Sequence, residues 1–131
     1  MRHDPPEVAA PIGGYTHGFE VRPGRRLLFV SGQIPERNDG TVPETFEEQC
    51  HVVWDNVAAI LVSAGMTLAD IVKVTTFLTD TGQADANSRI RRERLGDLRP
   101  ALTVLVVRTL DPKWLLEIEA IAAQEPSSAP A

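Results

Sequence analysis

Apolar residues recur along this chain at spacings that predict two strands, a helix, a third strand, a second helix and two final strands. Residues 15–21 alternate modestly between apolar and polar and lead into a turn at Pro23-Gly24, and residues 27–31 form a short apolar run. These two segments predict a hairpin. The remaining strands are predicted at three segments rich in apolar and branched side chains: residues 71–78, 101–107 and 115–123.

The first helix is predicted to begin at Thr45, because Thr45 and Glu48 have the spacing of a capping box. Gly65 predicts its end, since glycine adopts the left-handed conformation without strain. A second helix is predicted over residues 81–95, ending at Gly96. One face of the first helix is apolar and consists of Cys50, Val53, Trp54, Val57, Ile60, Leu61 and Ala64.

This order of elements predicts an α+β fold with both helices on one face of a mixed sheet. Residues 102–107 read Leu-Thr-Val-Leu-Val-Val and are apolar on both alternating faces, which predicts burial of the strand on both sides. Since two helices can shield only one face of a sheet, we expect other copies of the chain to shield the opposite face.

The length of 131 residues predicts a single domain, with a core over about residues 14–123 and flexible tails at 1–11 and 124–131. A net charge of −5 argues against a nucleic-acid partner, because neutralising phosphates requires a basic surface. The lone Cys50 cannot form an internal disulfide, and the sequence has neither an apolar leader nor a membrane span. We therefore expect a cytoplasmic protein that does not bind membranes.

Two carboxylates in the last strand are the first candidates for chemistry. Glu117 and Glu119 lie two residues apart, so their side chains share one face of the strand. One of them could hold or activate a water molecule for hydrolysis. Alternatively, both could be solvated and paired with Arg108 or Lys73, and the residues alone favour this second interpretation.

Other candidates also have a functional and a structural interpretation. Ser31 and Gly32 end a buried strand, where a small ligand could approach the backbone, or they could form a simple turn. For Tyr15 and Asn87 the residues alone indicate structural roles: Tyr15 as a half-buried aromatic at a strand start, and Asn87 as a polar surface residue on a helix. Cys50 is expected to be a packed thiol. The spacing of the histidines gives no zinc pattern, so neither a metal nor another cofactor is expected.

Five segments occur in the order and spacing of the RidA/YjgF (Rid) family, and the resemblance runs from about Gly14 to Ala123. The resemblance implies a chorismate-mutase-like α+β fold with a mixed six-stranded sheet and two helices on one face. It also implies a homotrimer with a central barrel-like core and small-molecule sites between subunits. The segments are Ser31-Gly32-Gln33-Ile34-Pro35, Ala64-Gly65-Met66, Asp70-Ile71-Val72-Lys73, Arg99-Pro100-Ala101 and Glu117-Ile118-Glu119-Ala120.

The same resemblance assigns roles to most of the candidates. Glu117 aligns with the water-positioning glutamate, Ser31 and Gly32 with residues that line the pocket, and Tyr15 with the tyrosine that closes it. Asn87 matches the asparagine of a Val-Asn pattern on the second helix. The aromatic residues that normally follow this asparagine are replaced here by Ile90, Arg91, Arg92 and Glu93.

Leu102 is the main departure from the family pattern. Family members that hydrolyse 2-imino acids have an arginine two residues after the proline, whereas this chain reads Pro100-Ala101-Leu102. Leucine cannot reproduce the planar guanidinium fork that binds a carboxylate. Val104 is also apolar, which predicts an apolar pocket wall facing Glu117. Whether Arg99 or Arg108 compensates is left open by the sequence.

A cluster of arginines follows Asn87 along the second helix and beyond it. A solvated helix face with ion pairs to Asp85, Glu93 and Asp97 is the favoured interpretation, and an anion-binding rim is the alternative. The cluster consists of Arg89, Arg91, Arg92, Arg94 and Arg99.

Together these observations predict a Rid-like hydrolase, a deaminase of a small imine or enamine that is not a standard 2-imino acid. The alternative is a non-catalytic trimeric protein that binds a small molecule. An endoribonuclease activity is disfavoured by the acidic charge and by the absence of a recognisable catalytic pair.

Overall fold

The computed structural model describes residues 1–126 as one α+β unit. Its six strands are β1 (Arg2–His3), β2 (Gly18–Phe19), β3 (Arg26–Gln33), β4 (Ile71–Leu78), β5 (Ala101–Val106) and β6 (Leu116–Gln124). Its two helices are α1 (Phe46–Ser63) and α2 (Ala84–Leu95), and short 3-10 turns at Leu68–Asp70 and Thr81–Gln83 precede β4 and α2.

The central sheet is mixed, as predicted, and has the strand order β3-β6-β4-β5. Strand β6 pairs antiparallel with both β3 and β4, while β5 runs parallel to β4 at the edge. Both helices contribute buried side chains to a single core on one face of this sheet. We call this the helix face and the opposite side the open face.

The predicted six-stranded sheet is wrong for the described residues, which form a four-stranded sheet and a separate two-stranded one. Strand β2 pairs with β1 rather than forming a hairpin with β3. The Asp4 carboxylate accepts hydrogen bonds from the Thr16 hydroxyl and the His17 N–H, both at 2.7 Å, which holds the N-terminal residues beside this segment. A modest alternation predicts a strand but does not choose its partner.

Part of each predicted tail belongs to a strand in the structure. Strand β1 lies within residues 1–11, and Gln124 is the last residue of β6. Residues 127–131 of the predicted C-terminal tail lie outside the described residues.

Helix α1 begins and ends as its sequence predicts. The Thr45 hydroxyl accepts a hydrogen bond from the Glu48 N–H at 3.2 Å, and Gly65 follows the helix with a φ of 71°. Cys50 is buried on the apolar face, and burial raises the pKa of its thiol to about 12. The thiol is therefore protonated near neutral pH and is a packing group, as predicted.

Strand β5 differs from its prediction in one respect. The sequence predicts burial on both faces, but Val104, Leu105 and Val106 are exposed in the chain. Apolar side chains on the open face of β3, Leu27 and Phe29, are exposed as well. One chain therefore leaves an apolar surface along the open face and the β5 edge.

Gln49 connects the start of α1 to two loops through its buried side-chain amide. Its Nε2 donates to the backbone oxygens of Pro43 and Lys113, both at 2.8 Å, and its Oε1 accepts from the Leu115 N–H at 2.8 Å. The side chain thus serves three backbone groups that have few other partners in this part of the core.

We expect Gln49→Leu to lower the free energy of unfolding by about 3 kcal/mol, because backbone polar groups would lose their partner inside the protein. Urea denaturation followed by circular dichroism measures the change. Glu48→Leu, on the exposed side one residue earlier, is the control and should change the free energy by less than about 0.5 kcal/mol. Equal effects of the two substitutions would contradict the assigned role of Gln49.

Candidate functional site

Glu117 lies on the open face of β6, where it is half-buried. On the adjacent strand β4, the residue paired with Glu117 is Phe77. On the other side, β3 contains a bulge between Val30 and Gln33, which places Ser31 and Gly32 beside the glutamate. The bulge therefore presents backbone rather than a side chain to the carboxylate.

Gly32 allows the close approach of this carboxylate. A Cβ atom built on Gly32 would collide with Oε1 of Glu117 and would lie 3.0 Å from its Cδ and 3.2 Å from its Cγ. Any larger residue at this position would push the glutamate side chain away. Ser31, Gly32 and Glu117 are thus brought together as the sequence predicts.

The interpretation that Glu117 is paired with a nearby cation does not hold for this chain. Across residues 1–126, neither Glu117 nor Glu119 forms an ion pair or a side-chain hydrogen bond. Lys73 donates instead to the Thr103 hydroxyl at 2.7 Å. The Glu117 carboxylate is therefore free to accept hydrogen bonds from a water molecule or a ligand.

Leu102 and Val104 do not face Glu117 within one chain, so this expectation is wrong for the single subunit. Leu102 pairs with Val74 and Val104 pairs with Thr76, both on the helix face, and Leu102 packs against the core there. Glu117 points to the open face. Side chains of paired residues share a face of the sheet, so the strand register decides the question, and the sequence does not give that register.

Tyr15 lies on the same side of the sheet as Leu102. The Thr16 N–H donates to the Pro100 oxygen at 3.1 Å, and Thr16 forms a parallel bridge to Ala101, which fixes Tyr15 beside the start of β5. The Tyr15 ring packs edge-on against His17 with 5.9 Å between centroids. Its hydroxyl accepts a hydrogen bond from the Ile12 N–H at 3.3 Å.

Asn87 is not the polar surface residue of the alternative interpretation. It lies on α2 with only 2% of its surface exposed, and its Oδ1 has no hydrogen-bond partner in the described part of the chain. The predicted site residues therefore form two groups. Ser31, Gly32 and Glu117 lie on the open face, and Tyr15, Asn87, Leu102 and Val104 lie on the other side.

Most of the arginine cluster lies at the surface, and part of it forms ion pairs, as the sequence favours. Some of the acidic partners differ from those that the sequence predicts. Arg89 contacts Glu47 at 2.7 Å and Glu93 at 3.4 Å, and Arg94 contacts Asp55 at 2.8 Å. The contacts with Glu47 and Asp55 connect α2 to α1, whereas the contact with Glu93 lies within α2. Arg99 donates to the Gly13 oxygen at 3.3 Å and so supports a loop.

The burial of Arg91 is not predicted from the sequence. It is 4% exposed, although its neighbours Arg89 and Arg92 are exposed. The available signal was its helical spacing, because Arg91 falls four residues after the buried Asn87 and four before the buried Leu95.

A surface depression of about 730 Å³ lies beyond the end of β5 and contains none of the predicted site residues. Arg108 lines it. The other lining residues are Thr79, Val107, Thr109, Leu110 and Pro112.

Two further features bear on chemistry. Over residues 1–126 no three histidine, cysteine or acidic side chains come together in a way that could hold a metal ion. None of the helices in that range has the length and apolar character needed to cross a membrane.

Comparison with known proteins agrees with this fold over nearly the whole chain. The model of the family described as endoribonuclease L-PSP matches residues 6–124. A RutC family protein of Pyrococcus horikoshii, PH0854, is 35% identical over 88% of this chain and 90% of its own length. TdcF of Escherichia coli, described as a candidate reactive intermediate deaminase, is 32% identical over 86% of this chain and 88% of its own length.

The solved structures give the same result. The crystal structure of Escherichia coli TdcF with bound serine has a TM-score of 0.71 at 33% identity, covering 88% of this chain and 91% of that one. A Rid family protein from Yersinia pestis, YyfB, has a TM-score of 0.82 at 24% identity, covering 95% and 98%, which supports the fold alone. With the motifs around Ser31, Pro100 and Glu117, these matches establish that the chain belongs to the RidA/YjgF (Rid) family.

Proposed function

We propose that the protein is a Rid-like deaminase that hydrolyses a small imine or enamine. The observation that carries the proposal is the Glu117 carboxylate, which is half-buried, has no side-chain partner among residues 1–126 and lies against the bulge at Gly32. Such a group can orient a water molecule and accept its proton. Membership of the Rid family and the likeness to TdcF support a deaminase at the level of the family.

The reaction needs only water as a co-reactant. Glu117 accepts a proton from water as the oxygen attacks the imine carbon, which forms the C–O bond and breaks the C=N π bond. The nitrogen takes that proton back from Glu117, which gives the neutral carbinolamine. Glu117 then accepts the hydroxyl proton and delivers it to the nitrogen as the C–N bond breaks, so that the nitrogen leaves as ammonia. The products are a carbonyl compound and ammonia, so atoms and charges balance. An enamine enters the same sequence after tautomerising to the imine.

The substrate is inferred from the apolar residues of β5. Leu102 and Val104 offer no guanidinium at the positions where the family's 2-imino acid deaminases have an arginine and a small polar residue. We infer a substrate that is more apolar than 2-iminopropionate or that lacks an α-carboxylate. Losing a charge-assisted pair typically costs a few kcal/mol, or about 10²-fold in rate or affinity.

We also propose that the active assembly is a homotrimer with its ligand sites between subunits. The two groups of site residues lie on opposite sides of one sheet, so a single chain does not enclose a pocket between them. The exposed apolar side chains of the open face and of β5 provide surface for a second copy. A neighbouring subunit would then place its Leu102 side near the Glu117 side of the first.

The second candidate function is a non-catalytic trimeric protein that binds a small molecule. The missing arginine at position 102 is the observation that favours it, since the family's usual substrate contact is lost. A nuclease activity, named in the description of the family, is disfavoured because a net charge of −5 repels the phosphate backbone.

Freshly generated imines provide the main test of catalysis. We expect wild type to hydrolyse a small imine without a carboxylate with a higher kcat/KM than 2-iminopropionate, and Glu117→Gln to lose 10²–10⁴-fold, or roughly the contribution of general base catalysis. Leu102→Arg should raise kcat/KM for 2-iminopropionate by about 10²-fold. Ammonia release measures all three.

The outcomes separate the candidates. No turnover of any imine by wild type would leave only the binding protein. Equal turnover of 2-iminopropionate by wild type and Leu102→Arg would show that position 102 does not control substrate choice.

Gly32→Ala tests the position of the carboxylate without removing it. The added methyl group collides with the end of the Glu117 side chain, so we expect at least a tenfold loss of kcat with little change in Tm. Gly18→Ala is the matched control, because its added methyl group would lie 3.4 Å from the nearest atom. Full activity of Gly32→Ala would contradict the proposed placement of water.

Analytical ultracentrifugation tests the assembly. Phe29, 69% exposed on the open face, and Val62, 67% exposed on α1, are matched for exposure. We expect wild type and Val62→Glu to sediment as trimers and Phe29→Glu as a monomer. A monomeric wild type, or a trimeric Phe29→Glu, would refute the proposed interface.

A further inference from the structure

A surface depression of about 340 Å³ lies between the end of α2 and the glycines that precede Tyr15. Its lining residues are Gly13, Gly14, Arg92, Gly96 and Arg99. Among the described residues, the lining therefore has two positive charges and no carboxylate, although the net charge of the whole chain is −5. A local positive charge in an acidic protein attracts anions to that place.

The two guanidinium groups both approach Gly13. Nη1 of Arg99 donates to the Gly13 oxygen at 3.3 Å, and a Cβ atom built on Gly13 would lie only 2.6 Å from Nη2 of Arg92. Gly13 also has a φ of 111°, a conformation that favours glycine. Because like charges repel each other, an anion close to both guanidinium groups would stabilise this arrangement.

The ion-paired arginines of α2 provide a contrast. Arg89 and Arg94 reach carboxylates of α1 at 2.7 and 2.8 Å, whereas Arg92 and Arg99 form no ion pair within residues 1–126. The side chain of Arg92 also donates no hydrogen bond in that range. A role in connecting the two helices therefore accounts for Arg89 and Arg94 but not for Arg92.

The acidic residues close by in sequence do not neutralise the depression. Glu93 contacts Arg89 at 3.4 Å. Asp85 and Glu93 line a separate depression, which Arg92 also borders. Asp97 takes part in no ion pair in the described part of the chain. The two guanidinium groups that line the depression are thus available to an anion from solution.

The glycine loop adds hydrogen-bond donors to these charges. Within residues 1–126, neither the Gly13 N–H nor the Gly14 N–H donates a hydrogen bond. The Gly13 oxygen accepts from the Tyr15 N–H at 3.0 Å and from Arg99, so both of its lone pairs are occupied. The loop can therefore donate hydrogen bonds to an anion that the arginines attract.

We propose that Gly13, Gly14, Arg92 and Arg99 form a binding site for a phosphate group, either free or at the end of a small metabolite. A phosphate group has about two negative charges near neutral pH and at least three acceptor oxygens, which suits two guanidinium and two N–H groups. A carboxylate has one charge and two oxygens, and a single guanidinium satisfies it. The site includes none of the residues proposed for imine hydrolysis and does not depend on that activity.

Direct binding tests the choice of a phosphate group. The probes are inorganic phosphate, glycerol 3-phosphate and glycerate, in which a carboxylate replaces the phosphate. By titration calorimetry at low ionic strength, we expect wild type to bind the better of the two phosphates about tenfold or more tightly than glycerate. Equal affinity for glycerate, or no binding of either phosphate at millimolar concentration, would overturn the proposal.

The two phosphate probes also distinguish the source of the group. Tighter binding of glycerol 3-phosphate than of inorganic phosphate would support a phosphorylated metabolite. Equal or tighter binding of inorganic phosphate would support the free ion.

Substitutions of single arginines test the residues of the site. We expect Arg92→Gln and Arg99→Gln each to weaken phosphate binding about tenfold or more, the loss typical of a charge-assisted contact. Arg89→Gln removes the same charge from an ion pair on α2 and should bind phosphate like wild type. Without ligand, Arg92→Gln should keep the wild-type Tm, because the Arg92 side chain has no partner among the described residues. Equal affinity of Arg92→Gln and Arg89→Gln would contradict the proposed site.

The amide resonances of Gly13 and Gly14 locate the bound phosphate. In NMR spectra we expect both to shift when inorganic phosphate is added to wild type or to Arg89→Gln, and to stay in place when Arg92→Gln and Arg99→Gln are combined. Shifts confined to other residues would place the phosphate elsewhere and refute the inference. None of these measurements depends on turnover, so a catalytically silent protein that binds phosphate here would refute the proposed deaminase and leave this inference intact.

Discussion

The alternation of side chains across the central sheet is the constraint on which this molecule depends. From Lys73 of β4 onward, the paired residues of β4, β5 and β6 alternate between the helix face and the open face, and the register between the strands fixes which face each side chain takes. The helices cover one face and supply the core. Glu117, the residue proposed to position water, lies on the face that the helices do not cover. The proposed assembly and the proposed chemistry therefore both involve the open face.

Much of this arrangement follows from local sequence signals. Thr45, Gly65 and the apolar face of α1 predict the first helix because caps and helical periodicity act over a few residues. The bulge beside Glu117 was foreseen only as a strand end at Ser31 and Gly32. The motif signals placed these residues together correctly, although the two segments are far apart in sequence.

Pairing and register were not available from the sequence. The sequence predicts the wrong strand partner for the segment around Gly18, because the alternation of this segment is weak. In the structure it pairs with the N-terminal strand, and hydrogen bonds to Asp4 hold the two segments together. The sequence also does not show that Leu102 and Glu117 lie on opposite faces of the sheet of one chain, because this depends on the strand register. The sequence does not predict the burial of Arg91, because it shows several neighbouring arginines without showing which of them is buried. These failures concern long-range geometry, which local patterns do not encode.

The position of β5 at the edge of the sheet affects how readily chains aggregate in a crowded solution. Thr16 bridges only the first residue of this strand, so most of its outer edge offers unpaired backbone groups beside exposed valine and leucine side chains. An apolar strand edge without a charged or proline residue is a template for unwanted pairing between chains. Subunits are exposed to such pairing until they assemble, and oligomerisation that covers this edge would protect them against aggregation.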